Sequence, residues 1–249
     1  MTSRLLLEYD GSGFAGWARQ PRARTVQEEV ERALAVVLRA DTVTLTVAGR
    51  TDAGVHAWAQ VASYEGDPAS VRSLNALLPD DVAALECVRS EEGFDARRDA
   101  TSRAYCYRVL ARSERAPLQH GRALHWPHPV DLVVQRECAA ALVGVHDFTA
   151  FTPSQTDHVR FEREVMAAYW LEAGSAVLEF WIEADAFMRQ MIRVLVGTML
   201  RCREVGDFIP LLEGRPRSAA GPTAAAHGLY LAGVGYGGRR VLDPTVVRT

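Results

Sequence analysis

The secondary structure can be read most directly from the stretch Thr42-Val43-Thr44-Leu45-Thr46-Val47-Ala48-Gly49-Arg50-Thr51-Asp52-Ala53-Gly54-Val55-His56-Ala57. Its first six residues alternate threonine with an apolar residue, which predicts a strand with one buried face. Gly49 and Gly54 then enclose a polar loop, and a second strand is predicted over 57–64. Asp52 therefore lies on a connection between two strands, where catalytic groups are common, although an ordinary turn can show the same pattern.

The remainder of the chain alternates predicted strands and helices. Further strands are predicted over 3–9, 103–110, 161–171, 176–184 and 229–236. Helices are predicted after the capping box Thr25-Val26-Gln27-Glu28, between Asp131 and Gly144, over 187–201 and over 218–226. This order predicts an α+β fold with a mostly antiparallel sheet. We expect two α/β lobes, residues 1–100 with the Asp52 loop and residues 101–249, around a central catalytic cleft.

Composition and charge argue against several classes of protein. No apolar run reaches the ~18 residues that span a bilayer and no secretory signal begins the chain, so we expect a cytoplasmic protein without a membrane partner. Four widely spaced cysteines argue against a zinc site and a disulfide framework. The net charge is −3 and every basic side chain is an arginine, with clusters at 19–24 and 97–115. Charge alone therefore neither indicates nor excludes RNA as a partner.

A single arginine interrupts the most apolar predicted helix, 187–201. Arg193 lies in the middle of that helix, and a buried guanidinium without an anion is costly. We therefore expect a carboxylate partner inside the protein. Asp52 is one candidate, and a structural ion pair is the alternative, with Glu179, Glu183 or Asp185.

The predicted strand over 103–110 combines aromatic and basic side chains. Its alternation places Arg103, Tyr105 and Tyr107 on one face and Cys106 with Arg108 on the other. Aromatic rings beside arginines can stack on bases next to phosphate contacts. The alternative is that both tyrosines are ordinary sheet residues, since tyrosine is a good strand former.

Several motifs, taken together and in order, resemble the tRNA pseudouridine synthase A family. The resemblance extends over about residues 4–236. The motifs are Tyr9-Asp10-Gly11 with Phe14, Gly16-Trp17 and Arg19-Gln20, then Ala48 to His56, Phe94 to Arg97, Ala100 to Tyr107, His146 to Phe151, Phe187 to Arg193 and Ala226 to Leu231.

The resemblance implies an enzyme with the pseudouridine synthase fold that isomerises uridine to pseudouridine at positions 38–40 of the tRNA anticodon stem-loop, without cofactor or metal. It implies that Asp52 is the nucleophile or general base, that Tyr105 stacks under the target base, and that Arg193 pairs with the aspartate. It further implies a set of residues that bind substrate or RNA: Arg19, Arg50, His56, Arg103, Gln190 and Leu229.

The chain departs from the family pattern at three positions. Gln190 replaces a common histidine, Val194 a frequent asparagine and Thr152 a frequent arginine. All three lie near the expected active site or RNA-contact loops, so they bear on substrate range and rate. The resemblance also implies a homodimer that contacts one tRNA with both subunits.

Two other functions fit parts of the sequence. An RNA-binding protein without catalysis could have the same fold, but it has no use for a paired aspartate. A hydrolase acting on a small N-glycoside needs a second carboxylate beside Asp52, which the loop does not supply.

Overall fold

The structure is a computed structural model that describes residues 1–156 and 159–242. The α-helices in this part of the chain are Val26–Leu38 (α1), Val71–Asn75 (α2), Leu132–Ala141 (α3) and Met191–Met199 (α4). The strands are Thr2–Tyr9 (β1), Thr46–Val47 (β2), His56–Glu65 (β3), Val82–Arg89 (β4), Ala100–Ala111 (β5), Leu124–Trp126 (β6), Gly144–Asp147 (β7), Glu162–Glu172 (β8), Val177–Ala184 (β9) and Leu229–Tyr236 (β10). None of these helices combines the length and apolar character needed to cross a membrane.

The chain divides into two compact units. The first unit comprises Met1–Thr101 and Tyr230–Arg240, and the second comprises Ser102–Leu229 and the chain from Val241. The sequence-based lobes, 1–100 and 101–249, stay a prediction.

In the first unit the strands are ordered β4-β1-β3-β10. β1 pairs antiparallel with both β3 and β4, and β2 pairs antiparallel with β3. β10 joins β3 in the parallel direction, with Tyr230 opposite His56. Helix α1 buries the apolar face predicted from its spacing, including Val26, Val30 and Leu34.

In the second unit the strands are ordered β5-β9-β8-β7, and all of these neighbours are antiparallel. β6 adds one parallel pair at β5. The α+β class and the mostly antiparallel pairing predicted from the sequence are therefore confirmed.

Three predicted elements differ in extent or kind. The strand over 42–47 is reduced to Thr46–Val47, although Leu45 and Val47 are buried as the alternation predicts. The helix predicted from 187 begins only at Met191, because Gln190 adopts a left-handed conformation with φ 60° that a helix does not continue. The helix predicted over 218–226 is wrong, since two 3₁₀ turns flank Pro222, whose ring disfavours helical backbone at the preceding residue.

The capping box at Thr25 is also only partly correct. Thr25 occupies the N-cap position of α1, but its side chain makes no capping bond. The hydroxyl oxygen is buried without a hydrogen-bond partner among the described residues. Asp131, by contrast, caps α3 as predicted, accepting from the amides of Val133 and Val134.

Helix α4 is almost wholly buried and packs directly against the backbone that follows it. A Cβ at Gly197 would lie 1.9 Å from the carbonyl oxygen of Pro222. The Thr198 hydroxyl accepts from the amide of Gly221 at 2.9 Å, which fixes the same contact from the next residue. Only a glycine at 197 allows this approach, so the packing of α4 depends on it.

We predict that Gly197→Ala lowers the free energy of unfolding by about 1–3 kcal/mol, because the new methyl meets rigid backbone. Urea unfolding followed by circular dichroism measures the change. Gly206→Ala is the matched control, since its nearest neighbour is a flexible Glu204 oxygen at 3.7 Å, and its effect should stay within about 0.5 kcal/mol. Equal losses of stability in the two variants would contradict the statement that the packing of α4 depends on glycine at position 197.

Candidate active site

The loop that carries Asp52 is the turn between β2 and β3 in the first unit. Asp52 is half-buried, Thr51 is buried and Arg50 is exposed. The amide of Val55 donates to the Asp52 carbonyl at 3.1 Å, which closes the turn on its own backbone. The loop therefore presents a carboxylate and a guanidinium from a fixed backbone.

The N-terminal segment after β1 braces this loop by backbone contact. The amide of Trp17 donates to the Thr51 carbonyl at 3.0 Å. Gly16 has φ +100°, and a Cβ there would lie 2.8 Å from the same carbonyl oxygen, so a side chain is excluded on both grounds. At Gly11, a Cβ would lie 2.0 Å from the carbonyl oxygen of Val55.

Two buried side chains, Tyr9 and Gln60, hold the loop from the sheet side. The phenol oxygen of Tyr9 lies 2.8 Å from the Thr51 hydroxyl. The Gln60 amide donates to the Gly49 carbonyl at 2.7 Å and to the Tyr9 oxygen at 3.3 Å. Burial raises the pKa of Tyr9 to about 12, so the phenol stays protonated at neutral pH. The sequence analysis did not identify these residues, although a glutamine on the buried face of a strand was a visible signal.

His56 ends the loop and starts β3 in a shielded position. Its side chain is buried, and Nδ1 lies 3.1 Å from both the amide nitrogen of Gly11 and a carboxylate oxygen of Asp10. The ring stacks on Tyr230, with centroids 4.6 Å apart, and Trp58 also stacks on Tyr230, with centroids 4.5 Å apart. These contacts favour a positioning role for His56, and its predicted contact with RNA stays a prediction.

Arg19 is exposed and attached to helix α1. Its Nε lies 2.7 Å from the carboxylate of Glu31, and its amide donates to Gln27. Glu31 is buried and also accepts from the amide of Leu45 at 2.8 Å, just before β2. The first unit thus brings Arg50, Asp52 and His56 together on one loop and holds Arg19 through α1.

In the second unit, β5 supplies Arg103 and Tyr105. Tyr105 is 8 % exposed and meets the ring of Phe187 edge-on, with centroids 5.2 Å apart. Arg103 donates to the Asp185 carbonyl at 3.0 Å. Tyr107 is fully buried, and its hydroxyl donates to the Ala225 carbonyl at 2.7 Å. Tyr107 is therefore a core residue, as the structural alternative held.

Arg193 projects from the first turn of α4 and is only half-buried. Its Nε donates to the carbonyl of Ala224 at 2.7 Å, and the Ala224 amide donates back to the Arg193 carbonyl at 3.0 Å. The close approach at Gly197 supports this reciprocal pair, because it brings the segment containing Ala224 onto the helix.

The three alternative carboxylate partners of Arg193 are bound elsewhere. Glu179 pairs with Arg108, and Glu183 accepts from the Ser102 hydroxyl and from the amides of 241 and 242. Asp185 accepts from the amides of 164 and 186. Within the described part of the second unit, none of the three makes an ion pair with Arg193. Its pairing with Asp52, which lies in the other unit, stays a prediction.

The remaining predicted residues and the three departures lie around α4 and its neighbours. Gln190 is half-buried at the N-cap of α4, and Leu229 is buried at the start of β10. Val194 is fully buried. Thr152 is buried, with its hydroxyl 3.1 Å from the Phe148 carbonyl. Thr152 and Val194 are thus buried positions at which the chain departs from the family pattern.

Across residues 1–156 and 159–242, no three histidine, cysteine, aspartate or glutamate side chains converge as a metal site would require. The candidate groups are the Asp52 carboxylate and the Arg50 guanidinium in the first unit, and the Tyr105 phenol and the Arg193 guanidinium in the second.

Comparison with known proteins identifies the family. A family model described as tRNA pseudouridine synthase matches residues 138–237. The protein named tRNA pseudouridine synthase A in Corynebacterium glutamicum is 42% identical over 260 residues, covering 95% of this chain and 89% of that protein. Its namesake in Chromobacterium violaceum is 39% identical over 245 residues, covering 95% and 93%. The protein of the same name in Bacillus subtilis is 36% identical over 248 residues, covering 95% of this chain and 99% of that protein.

Among solved structures, a chain from the crystal structure of a Cbf5-Nop10-Gar1 complex matches 90% of this chain and 56% of its own length. The TM-score is 0.36 and the identity is 11%, a likeness too distant to bear on function. The relatives resemble this chain over nearly their whole length and at more than a third identity. The chain therefore belongs to the tRNA pseudouridine synthase A family.

Proposed function

We propose that the protein isomerises uridine to pseudouridine at positions 38–40 in the anticodon stem-loop of tRNA. The observation that carries the proposal is a half-buried carboxylate, Asp52, on a braced loop in a chain of this family. A fixed carboxylate beside a reacting sugar suits a reaction in which positive charge develops at C1′.

The reaction needs neither an oxidant nor a cofactor. The N1–C1′ bond breaks, the base turns, and a C5–C1′ bond forms. The C5 proton is lost and N1 gains one, so product and substrate are isomers. Asp52 acts on the sugar, either as a nucleophile at C1′ or as a base that removes a sugar proton.

Four further residues have proposed roles at the target nucleotide. The target base must leave its stack, at a cost of a few kcal/mol. Tyr105 stacks under the extruded base and helps remove the C5 proton, and Leu229 lines the base pocket. Arg193 pairs with Asp52 and orients its oxygens, as a guanidinium fork does. Arg50 displaces the base and contacts RNA.

The wider RNA interface is assigned to arginines and neighbouring polar groups. Arg19 and Arg103 contact the tRNA, with Gln190 and His56 closer to the target nucleotide. We further propose a cytoplasmic homodimer in which one tRNA contacts both subunits through basic grooves. Each subunit has the two lobes predicted from the sequence, residues 1–100 and 101–249. Local arginine clusters allow a chain of net charge −3 to bind a polyanion.

Tritium release from unmodified tRNA transcripts labelled at uridine C5 tests the reaction. We expect release by the wild-type protein and a rate lower by about 10²–10⁴-fold for Asp52→Asn, because the amide cannot act as base or nucleophile. Asp67→Asn is the matched control, since Asp67 is an exposed carboxylate paired with Arg89 outside the loop.

Each other outcome of that assay contradicts a different statement. Binding of transcripts without release would leave an RNA-binding protein. Formation of free uracil from uridine, with tritium kept at C5, would favour the glycoside hydrolase. Equal release by wild type and Asp52→Asn would preserve the function and remove Asp52 from the mechanism.

The role of Arg193 is tested by Arg193→Lys, which keeps the charge and loses the Nε–H donor to Ala224. We expect kcat to fall roughly 10- to 100-fold with KM for tRNA within about twofold, because the carboxylate is misplaced while RNA contacts remain. Arg189→Lys is the control, since Arg189 is exposed and lies two residues before the start of α4. Equal losses in the two variants would point to general RNA binding instead.

Sedimentation equilibrium tests the homodimer. At micromolar concentration and moderate salt, we expect the mass of two chains of 27.4 kDa each. A monomer that remains fully active on tRNA would overturn this part of the proposal.

A further inference from the structure

A buried hydrogen-bond chain reaches the Asp52 loop from the sheet. Its members are Gln60, which is 0 % exposed, Tyr9, which is 3 % exposed, and Thr51, which is 7 % exposed. The chain contacts the loop twice, at the Gly49 carbonyl and at the Thr51 hydroxyl. These two points lie on either side of Arg50 and immediately before Asp52.

We propose that Tyr9 and Gln60 are positioning residues that set the orientation of Asp52 by fixing Gly49 and Thr51, an inference that rests on the proposed function. Neither residue is assigned to contact the nucleotide. Their effect passes through the backbone that carries the carboxylate.

The direction of each hydrogen bond in this chain can be assigned. The Gly49 carbonyl can only accept, so the Gln60 group facing it is the NH₂ group. The Gln60 oxygen accepts from the amide of Val61 at 3.2 Å, which agrees with that orientation. The second NH₂ hydrogen goes to the Tyr9 oxygen, which leaves the phenol proton for Thr51. All donors of Gln60 and Tyr9 are thereby used.

The hydrogen-bond chain holds the side chain of Thr51, which the backbone contacts do not hold. Its carbonyl is held by the Trp17 amide, and its side chain is held by Tyr9. Rotation of the peptide plane that leads into Asp52 would therefore break at least one of these hydrogen bonds. A displacement of about 1 Å at a reacting group costs on the order of 100-fold in rate, so this restraint bears directly on turnover.

The phenol is unsuited to a role in proton transfer. Burial raises the pKa of Tyr9 to about 12, so the group neither ionises nor loses its hydrogen bonds across the physiological range. A positioning role accounts for a protonated phenol in contact with the loop.

The experiment compares Tyr9→Phe with Tyr64→Phe in the full-length protein. Both substitutions remove one buried hydroxyl from a tyrosine that is 3 % exposed. The Tyr64 hydroxyl bonds to Asp67 and Ala69, away from the loop. We expect Tyr9→Phe to lower kcat by roughly 10- to 100-fold with KM for tRNA within about twofold, and Tyr64→Phe to leave both unchanged.

Coupling to Thr51 provides a second readout. Thr51→Val removes the hydroxyl at nearly constant shape. If the two hydroxyls act as one unit, the double variant of Tyr9→Phe and Thr51→Val loses no more kcat than either single variant. If the kcat losses of the two single variants multiply in the double variant, the hydrogen-bond chain is contradicted. An effect on KM alone would also contradict it.

Hydrogen exchange of the free protein tests the inference independently of activity. Amides in residues 49–55 should exchange faster in Tyr9→Phe than in wild type. In Tyr64→Phe, their exchange rates should equal those of wild type. Unchanged exchange in Tyr9→Phe would overturn the inference, even if tritium release by wild type is intact. Failure of wild type to release tritium would instead overturn the proposed function, while exchange still decides the role of Tyr9.

Discussion

The candidate active site depends on the close approach of two backbone segments in the first unit. The segment containing Gly11 and Gly16 lies against the loop so closely that no side chain fits between them. Backbone contact of this kind allows little adjustment, because neither partner has a rotamer to change. The position of Asp52 is consequently a property of the sheet and its N-terminal extension rather than of the loop alone.

In the second unit, a close backbone contact at a glycine likewise positions a side chain, that of Arg193. Gly197 admits the backbone at Pro222, and the adjacent Ala224 then exchanges two hydrogen bonds with Arg193. The Ala224 carbonyl thus orients the guanidinium of Arg193 on a buried helix, independently of any carboxylate partner. Asp52 and Arg193 both project from backbone that is held by contacts within their own unit, which is one way to preorganise a side chain.

Local sequence signals predicted the elements well and the contacts between them poorly. The alternation in β5 and the apolar spacing in α1 identified real elements, and the glycine-flanked loop lies between two strands as predicted. The late start of α4 was not predictable, because a left-handed Gln190 has no local signature. The bond between Tyr9 and Thr51 joins residues 42 positions apart, so no local pattern could indicate it. Thr25 shows the converse, since a perfect capping motif was overridden by burial.

The return of β10 to the first unit has a consequence for synthesis. The chain leaves that unit after Thr101 and re-enters it at Tyr230, which pairs beside His56. During translation, the ribosome must therefore deliver residues 102–229 of the second unit before the strand next to the Asp52 loop is complete. A nascent chain stalled anywhere before β10 lacks the ring that stacks on His56. Such a chain holds an unfinished sheet edge in place of a functional site, and it depends on rapid completion or on chaperones to avoid association.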